Sequence, residues 1–226
     1  MFRTRSIVVE LNGGLGNQLF QFSTALSLAD LRNCDLVLYS CAPGRTDISN
    51  PSLELTVFRG ITEPRIKIIH RRLFILTIIR KINTIIKLLG LDSIQTKYIF
   101  FETGLGFNEG ISKVGNRVFI SGYFQSYKYF AGKEAIIRNK LKFPDLKNDG
   151  SLQMAGRIKK GNSVGIHVRR GDYVSSSKIH VVQNVEYYKK AWGHIASKVC
   201  NPEIFIFSND FDWVKQNLSF FPNAVY

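Results

Sequence analysis

Cysteine is scarce in this chain. Cys34, Cys41 and Cys200 are its only three, with no Cys-x-x-Cys pair and no zinc-type spacing. An odd, sparse set excludes a disulfide scaffold and fits a reducing compartment. Acids are short as well, 17 against 31 lysines and arginines, for a formal net charge of +14. Such an excess favours anionic partners: nucleic acid, a membrane surface or a phosphorylated small molecule. It is spread along the chain, which excludes a basic tail as its source. Long apolar runs are missing too. The longest in the basic middle region is Leu73 to Leu76, or to Ile79 if Thr77 is allowed, far below the roughly 20 residues of a membrane-spanning helix. Met1-Phe2-Arg3-Thr4-Arg5 leads straight into a strand-like run instead of a signal-peptide core. The expectation is a cytoplasmic protein, with peripheral attachment to the inner face of the plasma membrane left open. His70, His180 and His194 are scattered without ligand spacing, and no Ser/His/Asp or Cys/His constellation assembles.

What is present is an ordinary globular composition, 45% hydrophobic and 21% charged over 226 residues, enough for one large domain or two small ones with a real core. Ser6 to Leu11 reads as a strand and Asn12 to Gln18 as a glycine loop. Apolar Leu19, Phe22, Leu26 and Ala29 follow at helical spacing, and then a second strand from Asp35 to Ser40. This β-loop-α-β start predicts a parallel sheet. Val118 to Gly122 reads as a further strand, trailed by the aromatics Tyr123, Phe124, Tyr127, Tyr129 and Phe130. The polar, proline-containing stretch Lys140 to Gly161 is the linker candidate. It separates a domain over 1–145 from one over 160–226. The second is expected to run strand Val164–Val168, helix Glu186–Val199, strand Glu203–Phe207, helix Phe211–Leu218 and the start of a strand at Ala224–Tyr226. A parallel strand needs cover on both faces, so this domain is expected to be incomplete at its end.

Residues 61–91 mix isoleucine and leucine with Arg65, Lys67, Arg71, Arg72, Arg80, Lys81 and Lys87. They predict one or two basic amphipathic helices. Such helices either pack on their own domain or lie on an anionic lipid surface.

Three motifs carry chemistry. In Val164-Gly165-Ile166-His167-Val168-Arg169-Arg170-Gly171-Asp172-Tyr173 a short strand ends in a cation-rich turn. Strand alternation puts His167 and Arg169 on one face and Arg170 on the other. An imidazole beside a guanidinium at a strand end suits a nucleoside diphosphate. A surface knot in which Asp172 neutralises an arginine is the plainer alternative. The glycine loop, with Gly14, Gly16, Asn17 and Gln18 between strand and helix, can turn backbone N–H groups toward an anion. It lacks the third glycine of a dinucleotide fingerprint and the Gly-Lys-Ser/Thr of a Walker loop. Asp210-Phe211-Asp212 is an acid-x-acid triplet after a strand. It reads either as a divalent-metal site or, more simply, as Asp210 capping a helix that begins at Phe211.

Taken in order, Gly13-Gly14-Leu15-Gly16-Asn17-Gln18-Leu19-Phe20-Gln21-Phe22, Ser121-Gly122-Tyr123-Phe124-Gln125-Ser126 and His167-Val168-Arg169-Arg170-Gly171-Asp172-Tyr173 resemble the bacterial α-1,2-fucosyltransferases of glycosyltransferase family 11. Tyr187-Tyr188-Lys189-Lys190-Ala191 and Phe205-Ile206-Phe207-Ser208-Asn209-Asp210 continue the likeness along the whole chain. The resemblance implies an α/β, GT-B-like fold of two Rossmann-like domains facing a cleft, the first on the acceptor side and the second binding GDP-fucose. It implies inverting transfer to the 2-hydroxyl of a galactose-containing surface glycan, with no metal cofactor and no role for nucleic acid. By the same likeness Arg169 grips the β-phosphate and Asp172 braces it, which makes these two the catalytic residues. His167 and Asp210 lie toward the guanine, and Asn17 lies on the first domain's side of the donor. Two departures stand out. Asn209 occupies the position of a family acid, and the chain stops before a Ser-Ser-Phe-Ser-Trp-Trp-Gly-Ala-Trp-like segment, so it is expected to be C-terminally truncated. The rival reading is a remnant that folds or binds nucleotide without turnover.

Overall fold

A computed structural model describes residues 5–40, 53–70, 74–90, 95–104, 106–175 and 181–226. The chain forms two compact units, Met1–Pro144 and Asp145–Tyr226. Both are α/β with parallel strands.

The first unit runs β1 (Ser6–Glu10), α1 (Leu15–Leu31), β2 (Asp35–Ser40), β3 (Ile66–His70), α2 (Phe74–Leu88), β4 (Ile99–Phe101), β5 (Arg117–Ser121) and α3 (Glu134–Lys140). Its five strands pair in parallel in the order β3-β2-β1-β5-β4. The central strand is buried along its length because both of its faces are covered. Ile7 and Val9 meet Phe22, Ala25 and Leu26 of α1, while Val8 meets Val37, Tyr39 and Phe119 on the other side.

The structure corrects the reading of residues 61–91. Ile66–His70 is an edge strand in register with β2, from Leu36↔Ile66 to Ser40↔His70. Ile66 and Ile68 pack on the α1 side and Ile69 on the other. The outward Lys67 reaches Asp35 on β2 at 3.5 Å. The five residues Ile66 to His70 are too few for periodicity to separate strand from helix. Among the described residues of this segment the α-helix is Phe74–Leu88, and Arg59–Thr62 forms a single 3-10 turn. Arg71, Arg72, Cys41 and His180 lie outside the described residues.

The second unit runs α4 (Asp149–Lys160), β6 (Ser163–Val168), α5 (Gly171–Ser175), α6 (Val185–Ala196), β7 (Glu203–Ser208) and α7 (Phe211–Asn217). The predicted linker is therefore mostly helix. Asn148 caps α4 by accepting from Ser151 N at 3.2 Å, Asp149 sits in the first turn, and Arg157, Lys159 and Lys160 sit in the last. That charge order suits the helix dipole, and it outweighs Gly150 and Gly156. Strands β6 and β7 pair in parallel from Ser163↔Glu203 to Val168↔Ser208. Val225 adds a single parallel bridge to Phe205 where a strand start was expected. Val168, Tyr188, Ile204, Ile206, Val214, Leu218 and Phe221 form the core.

Candidate functional site

In the first unit the chain builds outward from β1 to β3 and returns on the other side of β1 as β4 and β5. The strand order thus reverses between β1 and β5, and in open α/β sheets ligands bind beyond the strand ends at such a point. Two motif loops meet there. Gly13 has φ +75°, and a Cβ on it would lie 2.3 Å from Asn17 Nδ2, so this glycine is required. A Cβ on Gly14 or Gly16 meets nothing within 4 Å, and a ligand can approach the backbone closely at both.

Gln18 is buried. Its Nε2 donates to Gly13 O at 3.0 Å and its Oε1 accepts from Glu54 N at 3.0 Å. Glu54 in turn accepts from Leu15 N at 2.9 Å, placing the chain's own carboxylate at the positive end of α1. Gln21, fully buried, accepts from Asn12 N at 3.0 Å and donates to Gly122 O at 3.1 Å. Nearer the surface, Gln125 Nε2 donates to Asn17 Oδ1 at 2.7 Å. These two bonds fasten the glycine loop to the Ser121–Ser126 loop.

Glu102, just past β4, shapes the second loop. One oxygen accepts from Tyr123 N and Phe124 N, each at 2.8 Å, and the other from the Tyr129 hydroxyl at 2.8 Å. Burial, with the Glu102 carboxylate beside it, pushes the Tyr129 pKa well above the ordinary tyrosine value, so the hydroxyl stays a donor. The carboxylate thereby holds Phe124 at φ +53°, a costly conformation for a bulky residue. It leaves Tyr123 and Tyr127 exposed at 47% and 67%. Amide groups and exposed phenol rings suit a neutral, polyhydroxylated ligand.

In the second unit the site is the end of β6. His167 and Arg169 are exposed, Val168 is buried between them, and Arg170 turns inward, as strand alternation requires. The Arg169 guanidinium lies 4.6 Å from the Tyr173 ring centre. Arg170 stacks on Trp213 at 4.0 Å, and its Nε is 3.3 Å from Asp210 Oδ2. The other Asp210 oxygen accepts from Trp213 N at 3.2 Å, so Asp210 is both the cap of α7 and an arginine partner. Asn209 Oδ1 accepts from Arg170 N at 2.9 Å and Gly171 N at 3.3 Å, pinning the turn from the neighbouring strand. Ser208 Oγ donates to Val168 O at 2.9 Å and accepts from Asp210 N at 2.9 Å. Among the described side chains the acid that meets the Arg-Arg pair is therefore Asp210. Asp172 lies in α5, and its side chain falls outside the described ones. No group of three or more His, Cys, Asp or Glu among the described residues could hold a metal ion.

The sequence-predicted residues thus form two sets, Gly14, Gly16, Asn17 and Gln18 on the first unit and His167, Arg169 and Asp210 on the second. Sequence reasoning missed Glu54, Gln21 and Glu102. Their partners are remote in sequence, so no local pattern marked them.

The family model described as Glycosyl transferase family 11 matches residues 55–226. An alpha-1,2-colitosyltransferase of Escherichia coli is 31% identical over 228 residues, spanning 93% of this chain and 71% of that protein. The O-antigen biosynthesis glycosyltransferase WbnK of Escherichia coli is 25% identical over 242 residues, spanning 94% and 76%. Among solved structures, the fucosyltransferase NodZ from Bradyrhizobium superposes with a TM-score of 0.54 at 13% identity, over 99% of this chain and 78% of that one. That likeness is one of fold.

Proposed function

The chain belongs to glycosyl transferase family 11, and on that premise we propose that it is an inverting transferase moving fucose from GDP-fucose to the 2-hydroxyl of a galactoside in a bacterial surface glycan. The first unit takes the acceptor and the second the donor.

One observation carries the donor half. At the end of β6 two adjacent arginines are sorted, Arg170 inward onto Asp210 and Trp213, and Arg169 outward beside His167. Departure of GDP builds negative charge on the β-phosphate. A guanidinium held in place offsets that charge through two parallel N–H···O bonds. Arg169 supplies that fork, with Asp172 bracing it. His167 lies toward the base, and Asp210 keeps the turn rigid through Arg170. On the first unit Gly14 and Gly16 leave the backbone open to a ligand. Asn17 presents its side chain from the same loop, and Gln18 holds that loop in shape. The exposed Tyr123 and Tyr127 offer ring faces to the acceptor sugar.

The alpha-1,2-colitosyltransferase relative favours a second reading of the donor, in which the nucleotide and linkage are kept and colitose replaces fucose. Incubation with GDP-fucose or GDP-colitose and a panel of galactosides, in EDTA, tests both readings. We expect an α-1,2-linked product from one donor, and chelator abolishing activity would restore the metal reading of Asp210 and Asp212. GDP binding without product from either donor would favour the remnant reading. Arg169→Lys should lower turnover at least ~10-fold with stability unchanged, because lysine cannot make the fork. Equal, mild losses for Arg169→Lys and Arg170→Lys would sink the assignment.

A further inference from the structure

We infer that α2 docks the chain on an anionic lipid bilayer. Among the described side chains of the helix, Ile79 packs against the Tyr39–Phe119 cluster and Asn83, one turn on, is buried, which marks the side facing its own sheet. Ile78, Ile82, Ile85 and Leu89 follow at spacings of four, three and four, a single stripe about 100° around the helix from that packed side. They are 37%, 45%, 56% and 70% exposed. Four large aliphatic side chains in line are more apolar surface than a helix leaves to water without use.

Charge identifies the occupant. The helix carries Arg80, Lys81 and Lys87 and no acid, and the chain has no Asp or Glu anywhere from Pro64 to Leu91. Lys81 sits at the edge of the stripe by helical spacing, and both Lys81 and Lys87 are exposed. A second copy of this helix would set lysine against lysine with no acid to answer it. An anionic headgroup layer answers the cations, and the acyl boundary beneath it takes the aliphatic stripe. At 15 residues the helix is about 22 Å long and lies in the interface. No helix among the described residues is long and apolar enough to cross a membrane.

Flotation of the full chain with vesicles tests this without any sugar transfer, so its failure would leave the transferase reading standing. Vesicles of phosphatidylglycerol and phosphatidylcholine in equal parts should carry the protein up the gradient, and phosphatidylcholine alone should not. A cation near the headgroups contributes about fivefold, so Lys81→Glu, at the stripe edge, should weaken partition by at least ~5-fold, as should high salt. Ile82→Asp with Ile85→Asp should abolish flotation while circular dichroism stays that of the parent. Three results would overturn the inference: no flotation on the anionic vesicles, equal flotation on both compositions with the lysine variant unaffected, or a dimer in sedimentation that the isoleucine variant dissolves while no vesicle binds.

Discussion

Asp210 spends its two oxygens on two different bonds, and substitution can take them apart. Oδ1 caps α7 at Trp213 N and Oδ2 meets Arg170 Nε. Asp210→Asn keeps an oxygen for the cap, since the two residue types cap about equally, and gives up the charge. The pair is neither fully exposed nor buried, with side-chain exposures of 19% for Arg170 and 32% for Asp210. Its loss should therefore cost about 1 kcal/mol. Asp210→Ala removes the cap as well, for a total of about 2 kcal/mol. Arg170→Ala loses the same pair together with the stacking on Trp213, worth roughly 0.5–1 kcal/mol at a partly exposed site. In the Arg170→Ala background, Asp210→Asn should then cost almost nothing. Both tryptophans, Trp192 and Trp213, belong to the second unit, so urea unfolding followed by tryptophan fluorescence reads this unit alone. The midpoint should move and the slope should not. If Asp210→Asn proves as costly as Asp210→Ala, or keeps its cost without Arg170, the division of labour between the two oxygens is refuted.

Gly122→Ala would bring a Cβ to 2.4 Å from Glu102 Cβ, and it should destabilise the first unit by about 1–3 kcal/mol; a thermal midpoint equal to that of the parent would show that the loop moves aside. For Tyr129 the raised pKa favours the neutral form in the folded state. Its contribution is fully present below the ordinary value of 10.0 and is lost as pH rises above it. Chemical denaturation across that window should show a steeper alkaline decline for the parent than for Tyr129→Phe, and parallel curves would mean that burial of the hydroxyl has no such effect.

Three strands were legible from sequence because each has an apolar centre and is ended by a turn. Ser6–Glu10, Asp35–Ser40 and Ser163–Val168 were placed to within a residue. Strands β3 and β4, five and three residues long, are too short for a period to show. The α4 segment looked like a linker because its polar composition hid a good cap and charge order. At the sites, the glycine loop and the Arg-Arg turn announced themselves by local chemistry. Gln21 and Glu54 did not, because their partners are remote in sequence. The Gln21 bond to Gly122 spans 101 residues and the Glu54 bond to Leu15 spans 39. Asn209, read as a lost acid, proved to be the acceptor that pins the turn between Arg170 and Gly171.

Gln21 has a bearing on which segments can be exchanged independently. Its single amide clasps Asn12 on one loop and Gly122 on the other, with the Asn17–Gln125 bond repeating the tie nearer the surface. The two loops are therefore one mechanical part even though some hundred positions separate them in the sequence. A recombination that imports a new Ser121–Ser126 loop from a cousin, without the matching glycine loop and the residue at position 21, leaves a buried amide with nothing to hold. Exchange of both segments together, or changes confined to the exposed tyrosines that the clasp leaves alone, should keep this edge of the sheet folded.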